Sequence, residues 1–341
     1  MEIKEHEPLA AHSTFRMGKT AAYFAELQSA EEVSRFAEFA KEKEMPLFIL
    51  GGGSNTVFAD DHEIRACVGK IAIKGFEIIS EDDARAAVKI GAGEEWDAAV
   101  ARAVALNLAG IEALSAIPGT AGATPVQNVG AYGQEIANVL VSLEAFDLME
   151  KKPVEIPASS CGFSYRDSKF KREWKGNYAI TSITLSLSKT PPQVPAYPGI
   201  EAYFEKAGIE RPNLKQIRDA IIEIRKKKLP DPKDIASCGS FFKNPIVARE
   251  AAARIKAKHP GAPVFPAAGG KAKLAAGWLI EQAGFKGARF GRIGVYEHNA
   301  LVLTNLGGAS AAELESAISR IQGGVSALFG VSLEPEVVRL A

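Results

Sequence analysis

The sequence predicts an α+β protein of more than one domain, and three observations carry that expectation. At 341 residues the chain is longer than one hydrophobic core usually organises, which implies two or three domains. A helix, a strand, a glycine loop and a second strand follow one another across 29–58. Helices then mix with short strands through the last third.

In chain order, Ser29 with Glu32 forms a capping box, and Val33, Phe36, Ala37 and Ala40 recur at helical spacing. Pro46 ends that helix, Leu47–Leu50 reads as a short buried strand, and Thr56–Phe58 as another after the glycines. From Ile71 onward, 87–90 and 180–185 are strand-like, with a helix around Trp96, Val100 and Ala103 between them. A glycine-rich connection covers 117–133. Prolines at 191, 192, 195 and 198 mark a loop or boundary. Beyond them, Ile217, Ile221 and Ile224 share one helical face, and Lys228 continues the stripe where the apolar face ends. Leu229-Pro230-Asp231-Pro232 stops the helix. Helices are expected near 246–258, 273–283 and 310–329, the last opened by a Ser310/Glu313 box. Strands are expected at 300–303 and, closing the chain, 331–340.

The 41 basic and 41 acidic side chains cancel, which disfavours a nucleic-acid binder. Cys67, Cys161 and Cys238 have neither disulfide nor metal spacing. The five histidines are scattered, so no metal site is expected. The polar first residues lack a signal peptide's apolar stretch, and no run approaches a membrane span. A cytoplasmic protein, away from membranes, is the expectation.

Five segments can carry chemistry. Gly51-Gly52-Gly53-Ser54-Asn55 could turn backbone N–H groups toward an anion, or could be a plain turn. Ile117 to Gly133 is a second small-residue loop, and two such loops could clasp a pyrophosphate, or this one could be a flexible surface connection. Phe163-Ser164-Tyr165-Arg166-Asp167-Ser168 sets an arginine, suited to carboxylate or phosphate, beside an aromatic ring; a surface pair between Arg166 and Asp167 is the plainer reading. Gly239-Ser240-Phe241-Phe242-Lys243-Asn244-Pro245 places a hydroxyl between a glycine and two bulky rings, where it could donate a proton or simply face solvent at a strand end. Leu333-Glu334-Pro335-Glu336-Val337 puts two carboxylates on one strand face around a proline, where one could project into a cleft; solvated edge charges are the plainer reading.

Together and in this order, these segments, with Lys228-Leu229-Pro230-Asp231-Pro232-Lys233 and 273–280, resemble the UDP-N-acetylenolpyruvoylglucosamine reductases, the MurB family of bacterial peptidoglycan synthesis. The match spans nearly the whole chain. The resemblance implies an FAD-binding fold of the vanillyl-alcohol oxidase and MurB type in two subdomains, plus a C-terminal α+β substrate-binding domain. It sets their limits at 1–70 (with 331–341 returning to it), 71–228 and 229–330. It implies non-covalent FAD, NADPH as co-substrate and UDP-N-acetylglucosamine enolpyruvate as substrate, in a monomer.

By the same resemblance Arg166 stabilises the enolate-like species formed on hydride addition. Ser240 protonates the carbon, and Glu336 shares a proton with the substrate carboxylate or orients Arg166. The flavin falls to Gly51, Gly52, Gly53, Ser54, Asn55, Thr56, Pro118, Gly119, Thr120, Gly122, Ala123, Gln127, Asn128, Gly130 and Ala131. Substrate binding falls to Tyr165, Tyr197, Lys228 and Asn244, with Lys228 and Tyr197 near the diphosphate. Two departures stand out. Cys238 precedes Ser240 by two residues, an oxidation liability, and Arg339 is one residue beyond the position at which some relatives carry an arginine. A flavin oxidase of the same fold class, or a non-catalytic sugar-nucleotide binder, would have no reason to keep Arg166, Ser240 and Glu336 together.

Overall fold

A computed structural model describes residues 1–58, 61–190, 192, 194, 195 and 197–340. Pro191 of the proline-rich stretch and Ala341 at the end of the closing segment lie outside the described residues. The chain forms two compact units: Met1–Glu7, Ala21–Gly52 and Arg65–Lys226 make the first, and Pro8–Thr20, Gly53–Ile64 and Lys227–Ala341 the second.

Among the described residues the first unit holds the α-helices α1 (Ala30–Glu42), α2 (Trp96–Ala105) and α3 (Pro198–Ala207), and all but the last two residues of α4 (Leu214–Lys228). Ser29 caps α1 as expected, accepting the Glu32 N–H at 3.2 Å. The return bond shifts by one residue, for the Glu32 carboxylate accepts from the Gln28 N–H at 2.8 Å. The strand at Leu47–Leu50 pairs in parallel with Ile64–Ile71, matching Leu50 to Lys70, within a sheet that also holds Lys4–Pro8 and Thr20–Leu27. A second sheet orders Lys152–Pro157, Leu140–Asp147, Tyr178–Ser188, Arg85–Gly91 and Phe76–Glu81, all antiparallel. The strand-like stretches 87–90 and 180–185 sit side by side in it, with Ile183 opposite Ile90. One core joins α1, α2 and this sheet, with Phe36, Trp96, Ile90 and Leu143 all at most 1% exposed. A smaller cluster packs Ile200 and Phe204 of α3 on Ile217, Ile221 and Ile224 of α4. Proline density suggests a loop or boundary before α4, with no helix in it. The helix α3 starts inside that stretch because proline is tolerated at a helix's first turn.

The second unit holds α5 (Arg249–Lys258), α6 (Ala276–Gln282) and α7 (Ala311–Phe329). The expected starts of α5 and α6 fall later than the sequence suggested. Ile246–Val247 and Ala272–Leu274 are instead strands that pair with each other. Helix α7 opens on a complete box, with Ser310 and Glu313 each accepting the other's N–H. Its inward residues Leu314, Ile318 and Ile321 are buried as the pattern predicts. The strand expected at 300–303 runs over Val302–Asn305 and lies between Ser237–Ser240 and Ile293–Val295. The closing strand shortens to Val338–Leu340, paired in parallel with Thr56–Phe58. The residues just before it bond elsewhere, since the Lys243 N–H donates to the Glu334 carbonyl and the Glu336 N–H to the Phe241 carbonyl. No helix among the described residues is long and apolar enough to cross a membrane.

Candidate active site

The two glycine-rich loops meet within the first unit. A Cβ on Gly51 would lie 2.6 Å from Thr120 Oγ1 and 3.2 Å from the Ala123 Cβ; one on Gly52 would lie 2.9 Å from the Gly119 Cα. Only glycine permits that approach. The second loop is pinned from below. Trp96 N–H donates to the Gly119 carbonyl, Ala121 N–H to Glu94 and Gly122 N–H to Ala92, at 2.9 to 3.0 Å. Side by side, the loops form a cradle of small residues and backbone of the kind that receives a pyrophosphate.

One atom in the cradle is out of keeping with a sealed turn. Thr120 Oγ1 is buried and has no hydrogen-bond partner, alone in this among the side-chain atoms of the described residues. A buried unpaired hydroxyl costs about 1–3 kcal/mol. A phosphate oxygen beside it would remove that cost. The cradle therefore fits an FAD diphosphate, which Gly51, Gly52, Gly119, Thr120 and Ala123 would hold. In the second unit, Asn55 joins the chain's end, accepting the Val338 N–H on its carbonyl at 2.9 Å and donating through Nδ2 to the Glu336 carbonyl at 3.4 Å.

Arg166 stands at the tip of a two-residue turn in the first unit. Ser164 and Asp167 close the turn with reciprocal backbone bonds of 3.0 and 3.2 Å, and Arg166 itself takes a φ of +54°. Its Nη2 donates to the Gly130 carbonyl at 2.6 Å, and the guanidinium carbon lies 5.4 Å from the centre of the Tyr165 ring. Asp167 turns the other way and pairs with Arg172 at 3.1 Å. Composition alone had favoured Arg166 as the partner of Asp167.

In the second unit, a β-bulge places Ser240. Ser237 faces Thr304 and Ser240 faces Val302, so the strand carries one extra residue between the two pairs. Gly239 supplies it with a φ of +66°, and a Cβ there would meet nothing within 4 Å, so the requirement for glycine is conformational. The bulge leaves Ser240 half-buried while Phe241 and Phe242, whose ring centres lie 5.4 Å apart, are buried in the core. Phe242 bridges Pro335, which brings the Glu334–Glu336 segment alongside the serine segment. Asn244 is oriented by the Ala276 N–H at the start of α6, which donates to its Oδ1 at 2.9 Å. Lys228 is the exposed last residue of α4.

Of the two departures, the structure corrects the reading of Cys238 as an oxidation liability. Cys238 is 5% exposed, and burial pushes its thiol up to about 12 despite hydrogen bonds from its neighbours. A thiol held protonated in the core is a poor target for oxidants. Arg339 is exposed and pairs with Glu315 of α7.

Sequence reasoning assigned no role to Tyr132, which lies beside Tyr197, or to Arg225, which bonds to Tyr132. The Tyr132 ring meets that of Tyr197 edge-on at 5.1 Å. Burial raises the Tyr132 phenol above its ordinary value, and Arg225 hydrogen-bonds to it. Burial likewise lowers the Arg225 guanidinium. A local signal existed: Tyr132-Gly133 occupies a two-residue hairpin with both φ positive, at 51° and 87°, where Asn-Gly is the usual choice. A tyrosine there is strained, and strain of this kind collects at functional sites.

Comparison with known proteins makes the chain an FAD-binding oxidoreductase, a class with which the cradle in the first unit is in keeping. Residues 21–150 match the FAD binding domain family, and residues 231–340 match the family described as UDP-N-acetylenolpyruvoylglucosamine reductase, C-terminal domain. A UDP-N-acetylenolpyruvoylglucosamine reductase of Cupriavidus pinatubonensis is 42% identical over 99% of both chains. One from Pseudomonas syringae is 41% identical over 98% of both. The crystal structure of the Thermus caldophilus enzyme shares the fold, with a TM-score of 0.69 at 22% identity over 100% of this chain and 98% of that one. The chain belongs to the UDP-N-acetylenolpyruvoylglucosamine reductase family, and it is a flavoprotein.

Proposed function

We propose that the protein reduces UDP-N-acetylglucosamine enolpyruvate to UDP-N-acetylmuramate, with NADPH as electron source, in cytoplasmic synthesis of peptidoglycan precursor. The observation that carries this reading is identity above 40%, along almost the full chain, to enzymes named for that substrate. Arg166, Ser240 and Glu336 all stand in the segments that carry the resemblance. The division into flavin-holding parts at 1–70 and 71–228 and a substrate-holding part at 229–330 belongs to the same proposal, supported by family matches at 21–150 and 231–340.

FAD, when bound, supplies hydride transfer from NADPH to the methylene carbon of the enolpyruvyl ether. The chain's own residues manage the charge and the proton. Arg166 presents a permanent cation to the carboxylate and the adjoining carbon, where negative charge develops. Glu336 shares a proton with that carboxylate. Ser240 donates its hydroxyl proton to the carbon, from a position that the Gly239 bulge sets. Lys228, Tyr197, Tyr165 and Asn244 bind the substrate, the first two at the diphosphate.

Anaerobic mixing separates the two halves of the reaction. In Ser240→Ala, flavin bleaching by NADPH should persist, while reoxidation by the enolpyruvyl nucleotide falls by about 10²–10⁴. Unchanged reoxidation in the variant would refute the proton-donor role. Wild-type flavin that reoxidises with oxygen but not with the nucleotide would refute the reductase reading itself.

A further inference from the structure

Three side-chain bonds fasten the Arg166 segment to the second glycine-rich loop, at alternate residues of that loop. Ser168 Oγ donates to the Val126 carbonyl at 2.6 Å, Asn128 Nδ2 to the Ser164 carbonyl at 3.1 Å, and Arg166 Nη2 to the Gly130 carbonyl at 2.6 Å. Asn128 is the middle tether. It is 1% exposed and sits at a φ of +46°. Its amide is committed inside the protein: Nδ2 also donates to Glu135 Oε2 at 2.7 Å, and Oδ1 accepts the Ala137 N–H at 3.2 Å. Both amide protons are therefore spent, and the side chain has no donor left for a flavin.

The turn that Asn128 holds is strained at Arg166. A non-glycine residue with a φ near +54° costs about 1–3 kcal/mol and persists only where its surroundings determine it. Holding the Ser164 carbonyl fixes the turn. The guanidinium then lies against Gly130, where a Cβ would come within 3.2 Å of Arg166 Nη1.

We infer that Asn128 is a positioning residue for Arg166, tying the turn that carries the guanidinium to the flavin-side loop, in place of the direct flavin contact that the family resemblance implies. The inference rests on the charge-stabilising role proposed above for Arg166. Without the tether the turn relaxes toward right-handed backbone, and the guanidinium loses its aim. Misplacement of about 1 Å can cost about 10²-fold in rate.

A double-mutant cycle on flavin-loaded protein tests this, read by anaerobic flavin reduction with NADPH and reoxidation with the enolpyruvyl nucleotide. Asn128→Ala should keep flavin content and the NADPH step within about twofold of wild type, and slow reoxidation about 10- to 100-fold. Added to Arg166→Ala, it should slow reoxidation by less than about twofold further, because there is no longer a guanidinium to aim. Asn128→Ser, which keeps a buried polar atom but cannot span to Ser164, should behave alike and replaces the alanine variant if that fails to fold. An equal slowing in both backgrounds, or loss of flavin or of the NADPH step, overturns the inference. Slow reoxidation in Arg166→Ala with none in the Asn128 variants defeats the positioning role alone. Fast reoxidation in Arg166→Ala defeats the role proposed for Arg166 and the inference with it.

Discussion

Thr120 carries in its hydroxyl both a cost and a use. Its Oγ1 is buried without a partner, against the empty face of Gly51. Thr120→Val keeps the shape and removes the unpaired dipole, so its two effects have opposite signs. The flavin-free protein should gain about 1 kcal/mol in urea unfolding, while FAD affinity, read by fluorescence quenching, falls about tenfold. A valine variant that loses stability without flavin, or binds FAD as tightly as wild type, would remove Thr120 from the cradle. Ser240 shows the reverse case, in which the residue itself reveals little. The dipeptide Gly239-Ser240 is visible in the sequence, but the bulge that aims the hydroxyl depends on which strand pairs with it, and Val302 lies 62 positions away. Cys238, two residues before that serine, reads as a liability until the fold buries it.

Helix α4 shows how elements support the site. Arg218 on α4 grips the Asp97 carboxylate of α2 with two bonds of 2.6 and 2.9 Å, and the Ala116 N–H, at the entrance to the second glycine loop, adds a third at 2.6 Å. Burial opposes the Asp97 charge, but the Arg218 and Ala116 bonds outweigh it, and the carboxyl is held below its ordinary value. A depressed carboxyl contributes stability that is complete above its unfolded value, about 3.9, and that is lost as pH falls through the folded one. Arg218→Ala should therefore destabilise the protein by about 2 kcal/mol at pH 7 in urea. The gap from wild type should narrow below about pH 4. A gap that stays constant down to pH 3 would show that the loss is one of packing, not of the ion pair. Elements of this kind were unevenly legible. Helices α1 and α7 announced themselves because capping and 3.6-residue periodicity act over three or four residues. The short strands at Ile246–Val247 and Ala272–Leu274 read as parts of the neighbouring helices, because two or three residues are too few to show a strand's alternation and their pairing, with each other and with Val264–Pro266, is tertiary.

At the scale of the whole molecule, flavin binding should be coupled to stability. The matched FAD binding domain, 21–150, lies mostly in the first unit, so FAD should stabilise that unit selectively. Saturation at about 100 times Kd adds about 2.7 kcal/mol, or roughly 5–10 °C in Tm for a unit of this size. Calorimetry of stripped and reloaded protein should show a transition that moves by that amount. An unmoved trace would argue against flavin binding in this unit. Residue types and their order, read without any coordinates, determined the family and the flavin, and singled out the three segments bearing Arg166, Ser240 and Glu336 as the ones to test. Glycine loops, a capping box or a Ser-Phe-Phe run are local chemistry, written in adjacent residues. Folding decided how the segments are held: the meeting of Gly52 with Gly119, the tether from Asn128 to Ser164, the Arg225 bond to Tyr132, and the burial of Cys238. These depend on which distant strands and loops pack together, and packing is set by the sum of many weak contacts over the chain, which no short stretch of sequence contains.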